Sequence, residues 1–238
     1  MLPLFVYGTL RHLPLLEQVI GHSVPEADRR AATLRDHLAR WAQGQAFPMV
    51  MLEPGAQAEG LLLTGLSAQD MARLDYYEGG FGFHLARMQV QAGEDEVTAQ
   101  VWFPDAGLWE AGDPFDLSAW EARWGDINVA AAAEMMDYID RHDPTEIARM
   151  YPMIHARAAS RVAARRAGLP ADPALPTSGK TREDVTPVDL TRPYADFFAV
   201  EEHHLSFRRF DGAQSPVVKR AVFVASDAAI LLPYDPVR

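Results

Sequence analysis

Residues 2–7 (LPLFVY) form a short apolar run that stops at Gly8-Thr9, the pattern of a buried strand entering a tight turn. Across residues 12–20 (HLPLLEQVI), Leu13, Leu16 and Ile20 recur at helical spacing. Residues 31–37 and 49–53 are strand candidates, and 59–66 (EGLLLTGL) predict a further strand closed by Gly65. Ser67 then stands as an N-cap with Asp70 three residues on, ahead of a helix that presents Met71, Leu74 and Tyr77 on one face. Residues 84–92 and 96–103 predict a hairpin across AGEDEV. In its second arm Val97, Ala99, Val101 and Phe103 alternate with polar Thr98 and Gln100. The short loop implies antiparallel pairing. The chain up to Pro104 therefore reads as a compact mixture of several strands and two helices.

From residue 126 the period changes. VAAAAEMMDYIDRH and PMIHARAASRVAARRAG are strong helix formers, with Asn128 as the candidate cap of the first and Pro144 and Pro152 bounding the gap between them. Gly168 and Pro170 end the second. The stretch 168–193 carries five prolines and many small or polar residues, the composition of a linker. Residues 194–238 return to strand-like sequence in LSFRRF, VVKRAVFVA and AAILLPY. The expected organisation is α+β: a first domain over 1–125, a helical extension over 126–168, a Pro-rich linker over 169–193 and a β-rich segment over 194–238.

Composition narrows the function. At 238 residues and 48% hydrophobic, the chain is long enough to bury a real core. Twenty-two basic and 33 acidic residues leave a net charge of −11, which disfavours nucleic-acid and anionic-membrane partners. The absence of cysteine excludes disulfides, thiolate catalysis, cysteine zinc sites and iron–sulfur clusters. No secretory leader and no run of about 18 apolar residues is present, so a cytoplasmic protein is expected.

Two places could carry chemistry. In Tyr7-Gly8-Thr9-Leu10-Arg11, glycine permits a sharp turn, and successive N–H groups there could cradle a carboxylate. The same residues also read as a strand-ending turn with Tyr7 and Leu10 in the core, the commoner situation. In Leu74-Asp75-Tyr76-Tyr77-Glu78-Gly79, one carboxylate lies beside aromatic rings. Burial there would raise its pKa and make it a general base near neutral pH, whereas a helix-end Glu in solvent would do nothing. His203 and His204 are adjacent, point to opposite faces of a strand and rarely share one metal, so no metal site is expected. Trp102, Trp109, Trp120 and Trp124 read as packing for the helical region against the first domain, the rarer alternative being an aromatic binding platform.

The ordered set Phe5-Val6-Tyr7-Gly8-Thr9-Leu10-Arg11, Phe47-Pro48, Glu59-Gly60-Leu61-Leu62-Leu63, Leu74-Asp75-Tyr76-Tyr77-Glu78-Gly79 and Arg87 resembles the gamma-glutamylcyclotransferase-like (AIG2-like) family over residues 4–104. Two features depart from that pattern. Leu85 stands where the family often has Tyr, and the run Gly79-Gly80-Phe81-Gly82 is unusual. The resemblance implies a small mixed β-barrel with flanking helices and a cavity at its mouth. The turn Tyr7, Gly8, Thr9, Leu10 would hold the substrate's α-carboxylate, and Arg87 would line the same site. Glu78 would act as the proton-transfer group for cyclisation of a gamma-glutamyl compound to 5-oxoproline. No cofactor is implied. The other implied role for such a domain is a non-catalytic binding or regulatory module.

A second resemblance begins near residue 187. Arg209-Phe210-Asp211-Gly212, Ser215-Pro216, Lys219-Arg220, Val222-Phe223 and Leu232-Pro233-Tyr234-Asp235-Pro236 resemble the leading β segment of Nudix hydrolases of the ADP-ribose pyrophosphatase group. The Nudix box is not among the 238 residues, so ADP-ribose hydrolysis is not expected of them. The resemblance implies a fusion, with 194–238 either exchanging strands to form a homodimer or packing poorly as a hairpin.

Overall fold

The computed structural model describes residues 2–167 and 179–225, in two compact units, Met1–Ile154 and His155–Arg238. The fold is α+β. Unit 1 contains strands β1 (Leu4–Val6), β2 (Arg29–Ala42), β3 (Pro48–Leu63), β4 (Phe83–Ala92), β5 (Asp95–Pro104) and β6 (Ala111–Pro114). Its helices are α1 (Leu13–Ile20), α2 (Ala68–Glu78), α3 (Leu117–Trp120) and α4 (Asp126–Met136), and α5 (Pro144–Ala167) begins in it.

The strands run in the order β3-β1-β5-β4-β2, and β2 pairs again with β3, so the sheet closes into a five-stranded barrel with β6 added to β2. β1 lies parallel to β5, and the other pairings are antiparallel. Closure removes the unpaired edges that an open sheet would present. Alternation sorts the side chains. Phe5, Leu34, Val50, Leu62, Val90 and Val101 fill the interior. Leu4 and Val6 point the other way and are also buried, as are Leu15, Leu16, Leu74 and Met135 on the helices. Each such aliphatic side chain contributes about 1.5–3 kcal/mol on burial. A Cβ on Gly60 would lie 2.4 Å from the Phe5 ring and 2.5 Å from the Val6 carbonyl, so β3 and β1 meet closely only because residue 60 has none.

Several expectations hold in detail. Ser67 accepts from the Asp70 N–H at 3.1 Å and Asp70 accepts from the Ser67 N–H at 2.8 Å, a complete capping box for α2. β4 and β5 form the expected hairpin, with Ala92 opposite Asp95 and Gly93 at φ 65°. Trp120 is fully buried and donates to the Ala46 carbonyl at 2.8 Å.

Others are corrected. Residues 49–53 and 59–63 belong to one strand, β3, because Pro54 and Gly55 are absorbed by a bulge, and 64–66 lie beyond its end. The register slips between Arg35 and His37, Asp36 takes φ 55°, and its carboxylate accepts from the Gly55 N–H at 2.8 Å. Asn128 is no cap. It is buried inside α4 and donates to the Trp124 carbonyl at 3.0 Å, because α3 runs through a wider π-turn (Glu121–Gly125) directly into α4. Pro152 does not bound a gap but lies inside α5. Pro144 does open that helix, where its missing N–H costs nothing.

Unit 2 carries a three-stranded antiparallel sheet, β7 (Val185–Ala195), β8 (Ala199–Phe207) and β9 (Val218–Val224), in that order. β7 occupies sequence expected to be linker. It is an edge strand whose register slips next to Pro187 and around Pro193, so neither proline has to donate to the ladder. The end expected for the second helix at Gly168 and Pro170, and the expected strand AAILLPY, lie outside the described residues.

Candidate active site

Glu78 is the last residue of α2, held there by the capping box at the other end of the helix and by Leu74, which is fully buried. Tyr7 follows β1 directly. Its ring belongs to the barrel interior, and its hydroxyl accepts a hydrogen bond from the Val50 backbone. Burial, then the charge of Glu78, raises the Tyr7 phenol pKa. The same two influences raise Tyr151, and Tyr77 is raised by burial and by its neighbours Tyr151 and Glu78. One carboxylate is thus within electrostatic reach of three phenols. Glu78 itself is half-buried, enclosed but still reachable. Burial alone lifts its pKa from 4.5 to about 7. A carboxyl in that range can take up and return a proton at neutral pH.

The turn beyond Tyr7 is half-buried at Gly8 and Thr9 and buried at Leu10. Thr9–Arg11 form one 3-10 turn, so the N–H groups that open it have no acceptor within the turn. Gly8 is needed for contact rather than for φ, since a Cβ there would stand 2.8 Å from Pro48 Cγ. This seats Pro48, at the start of β3, against the turn. Tyr7 and Glu78 therefore come together, with Gly8, Thr9 and Leu10 following Tyr7 directly.

Arg87 is placed differently. It is exposed on β4, on the face opposite the core residues Met88 and Val90, and makes no contribution to the Glu78 pKa. Leu85 shares its face and pairs with Trp102. A hollow of about 210 Å³ lined by Arg11, Leu38, Gln57, Glu59 and Phe115 does not include Glu78.

Sequence reasoning missed Tyr151 and gave Asn128 a different role, that of a helix cap. Tyr151 lies on α5, donates to Asn128 Oδ1 at 2.9 Å and meets the Phe81 ring edge-on at 5.2 Å. The glycines after Glu78 are what admit α5. A Cβ on Gly80 would lie 2.1 Å from the Pro144 carbonyl oxygen, and Gly82, at φ 71°, would otherwise strike Leu108. The unusual run Gly79 to Gly82 is the one local signal that something packs closely there. Among the described residues no cluster of three or more His, Asp or Glu side chains could hold a metal, and no helix is long and apolar enough to cross a membrane.

Residues 4–122 match the model of the family described as gamma-glutamyl cyclotransferase, AIG2-like. Among solved structures, a solution structure from Arabidopsis thaliana is similar at 16% identity with a TM-score of 0.41, over 58% of this chain and 84% of that one. A gamma-glutamyl cyclotransferase structure is similar at 16% identity with a TM-score of 0.36, over 60% of this chain and 88% of that one. The ADP-ribose pyrophosphatase of Escherichia coli K12 is 37% identical over 57 residues, which are 24% of this chain and 27% of the pyrophosphatase. The chain thus spans about a quarter of the length of the curated relatives it matches.

Proposed function

The chain belongs to the gamma-glutamyl cyclotransferase, AIG2-like family, and on that premise we propose that unit 1 releases 5-oxoproline from a gamma-glutamyl amine or peptide. The observation that carries this reading is the Glu78 carboxyl, raised by burial to about 7 and within electrostatic reach of Tyr7, where the turn begins. N–H groups of the turn hold the α-carboxylate of the substrate. Glu78 takes a proton from the α-amine, whose nitrogen attacks the gamma-carbonyl carbon of the same molecule. The bond from that carbon to the departing nitrogen breaks, and Glu78 returns the proton to it. The products are 5-oxoproline and a free amine. Attack within one molecule closes a five-membered ring, so holding the chain bent supplies much of the acceleration.

The test is 5-oxoproline release from gamma-glutamyl amides by the native chain and by Glu78→Gln. Release by the first and not by the second is the expected result. Binding without turnover by any gamma-glutamyl amide would instead support a non-catalytic binding or regulatory module. The exposed position of Arg87 favours that second reading.

The 57-residue likeness to a pyrophosphatase supports a fusion in which the second unit leads into a Nudix ADP-ribose pyrophosphatase. Sequence of the gene past codon 238 tests it directly. Strand exchange through residues 194–238 to give a homodimer is tested by mass in solution.

A further inference from the structure

Two consecutive residues grip the Tyr7–Leu10 turn from its two ends. Trp120, the last residue of α3, is fully buried, and its indole N–H donates to the Ala46 carbonyl at 2.8 Å. Two residues on from Ala46, Pro48 rests on Gly8, where a Cβ would come within 2.8 Å of the proline ring. Glu121 follows Trp120 directly, and its Oε1 accepts from His12 Nδ1 at 2.9 Å. A carboxylate only accepts, so that nitrogen carries the proton. The other face of the contact is Trp120 itself, which the His12 ring meets edge-on at 5.7 Å.

His12 is where the turn ends. Its backbone N–H donates to the Thr9 carbonyl at 3.0 Å, and the Arg11 N–H donates to the Gly8 carbonyl at 3.1 Å. The His12 carbonyl accepts from the N–H groups of Leu15 and Leu16 at 2.9 and 3.1 Å and so opens α1. The bond to Glu121 therefore anchors the one residue that backbone bonds tie both to the turn and to α1. The His12 side chain is 18% exposed and that of Glu121 39%, so water screens this pair less than one on the open surface. α3 is a single turn, capped by Asp116, and the chain widens into the π-turn at Glu121 itself. Single π-turns are rare and occur frequently at functional sites.

We infer that Trp120 and Glu121 are positioning residues for the turn that holds the α-carboxylate of the substrate: Trp120 sets its Gly8 end through Ala46 and Pro48, and Glu121 sets its far end through His12. The inference rests on the cyclotransferase reading, which assigns the α-carboxylate to this turn. That carboxylate keeps its charge from substrate to product. The turn thus holds ground state and transition state alike, and loosening it weakens binding while leaving the chemical step alone.

The experiment measures kcat and KM for a gamma-glutamyl amide, and equilibrium binding of 5-oxoproline, which retains the carboxylate. The native chain is compared with Glu121→Ala, Glu121→Gln, His12→Phe, the double variant of Glu121→Ala with His12→Phe, and Trp120→Phe. Glu121→Ala should raise KM by about tenfold to a hundredfold, with 5-oxoproline binding weakened in parallel. Its kcat should stay within about twofold of native. Glu121→Gln keeps an acceptor at the same length and should restore most of the loss. His12→Phe keeps a ring against Trp120 without the donor, and the double variant should be no worse than either single one. Trp120→Phe loses the indole N–H and should raise KM in the same way; the Glu121 series reads the inference where that variant fails to fold. An unfolded fraction lowers apparent kcat and leaves KM alone. Turnover with KM unchanged in Glu121→Ala, or with the loss confined to kcat, overturns the inference and leaves the cyclotransferase reading standing. A Gln variant as weak as the Ala variant, or an additive double variant, overturns it too. No native turnover, but 5-oxoproline binding that Glu121→Ala weakens and Glu121→Gln restores, overturns the cyclotransferase reading and retains the positioning role. Neither turnover nor 5-oxoproline binding overturns both.

Discussion

Each unit of this chain encloses a glutamate, and the two environments drive it in opposite directions. Glu78 in unit 1 sits among Tyr7, Tyr77 and Tyr151, with no cation shifting it, and burial holds its carboxyl up at about 7. Glu201 on β8 is more thoroughly buried, at 6% exposure, and burial pushes its pKa up as well. There, however, Arg192 at 3.0 Å and Arg161 at 2.9 Å reverse the direction, with His203 at 3.1 Å on the other oxygen, and the net pKa is lowered. Phenols accept a neutral carboxyl without demanding its charge, whereas a buried guanidinium requires a permanent anion. Unit 1 therefore keeps a proton carrier, and unit 2 keeps a fixed charge that ties β8 to β7 and α5.

The largest expected effect that could break this contrast is on activity. Glu78→Gln should lower 5-oxoproline release by about 10²–10⁴-fold, and the native rate should rise with pH through about 7 as the base ionises. A flat pH profile between 5 and 9 would remove Glu78 from the proton transfer. Next comes stability in unit 2. Glu201→Ala removes the buried carboxylate that Arg192, itself 7% exposed, and Arg161 both bond, and should cost about 3–5 kcal/mol in chemical denaturation.

The pH dependence of stability sharpens the comparison further. Glu78 has its folded pKa above the ordinary 4.5, so the stability of its protonated form is complete below about 4.5 and is lost as pH rises through about 7. Glu201 has a lowered folded pKa, so its contribution is present above the ordinary value and is lost as pH falls through the folded one. Melting curves from pH 3 to 9 should show the alkaline loss vanish in Glu78→Gln and the acid loss shrink in Glu201→Ala. The smallest effect among these lies behind the site. Asn128→Ala removes the acceptor of the Tyr151 hydroxyl and should cost about 1–2 kcal/mol in the same denaturation experiment.

What could be read without the structure was whatever a short stretch determines. Ser67 and Asp70 state their helix start within four residues, and Gly93 states its hairpin within two. Tyr7 and Glu78 stood out because each carries a distinctive immediate context. Tyr151 had none. Its role depends on Gly80 admitting Pro144, a contact between residues far apart in sequence. Asn128 looked like a cap because capping was judged from composition, while the α3–α4 connection that removes the need for one depends on a single π-turn. Arg87 entered through the family resemblance alone, and strand parity turns its side chain away from the barrel interior.

The parallel pairing of β1 with β5 has a consequence for biosynthesis. Leu4 pairs with Gln100 and Phe5 with Val101, so the strand that leads into the turn completes its neighbours only about a hundred residues later. At ribosomal rates of about 5–20 residues per second, Phe5 and Tyr7 wait roughly 5–20 s before β5 is synthesised. The hairpin β2–β3 forms during that delay, and β1 can meanwhile pair antiparallel with its Leu61–Leu63 end. The Tyr7–Leu10 turn is thus translated early but acquires its final shape late. A nascent chain halted near residue 80 would lack β5, the strand beside β1, and with it the closed barrel whose interior holds Phe5 and Tyr7.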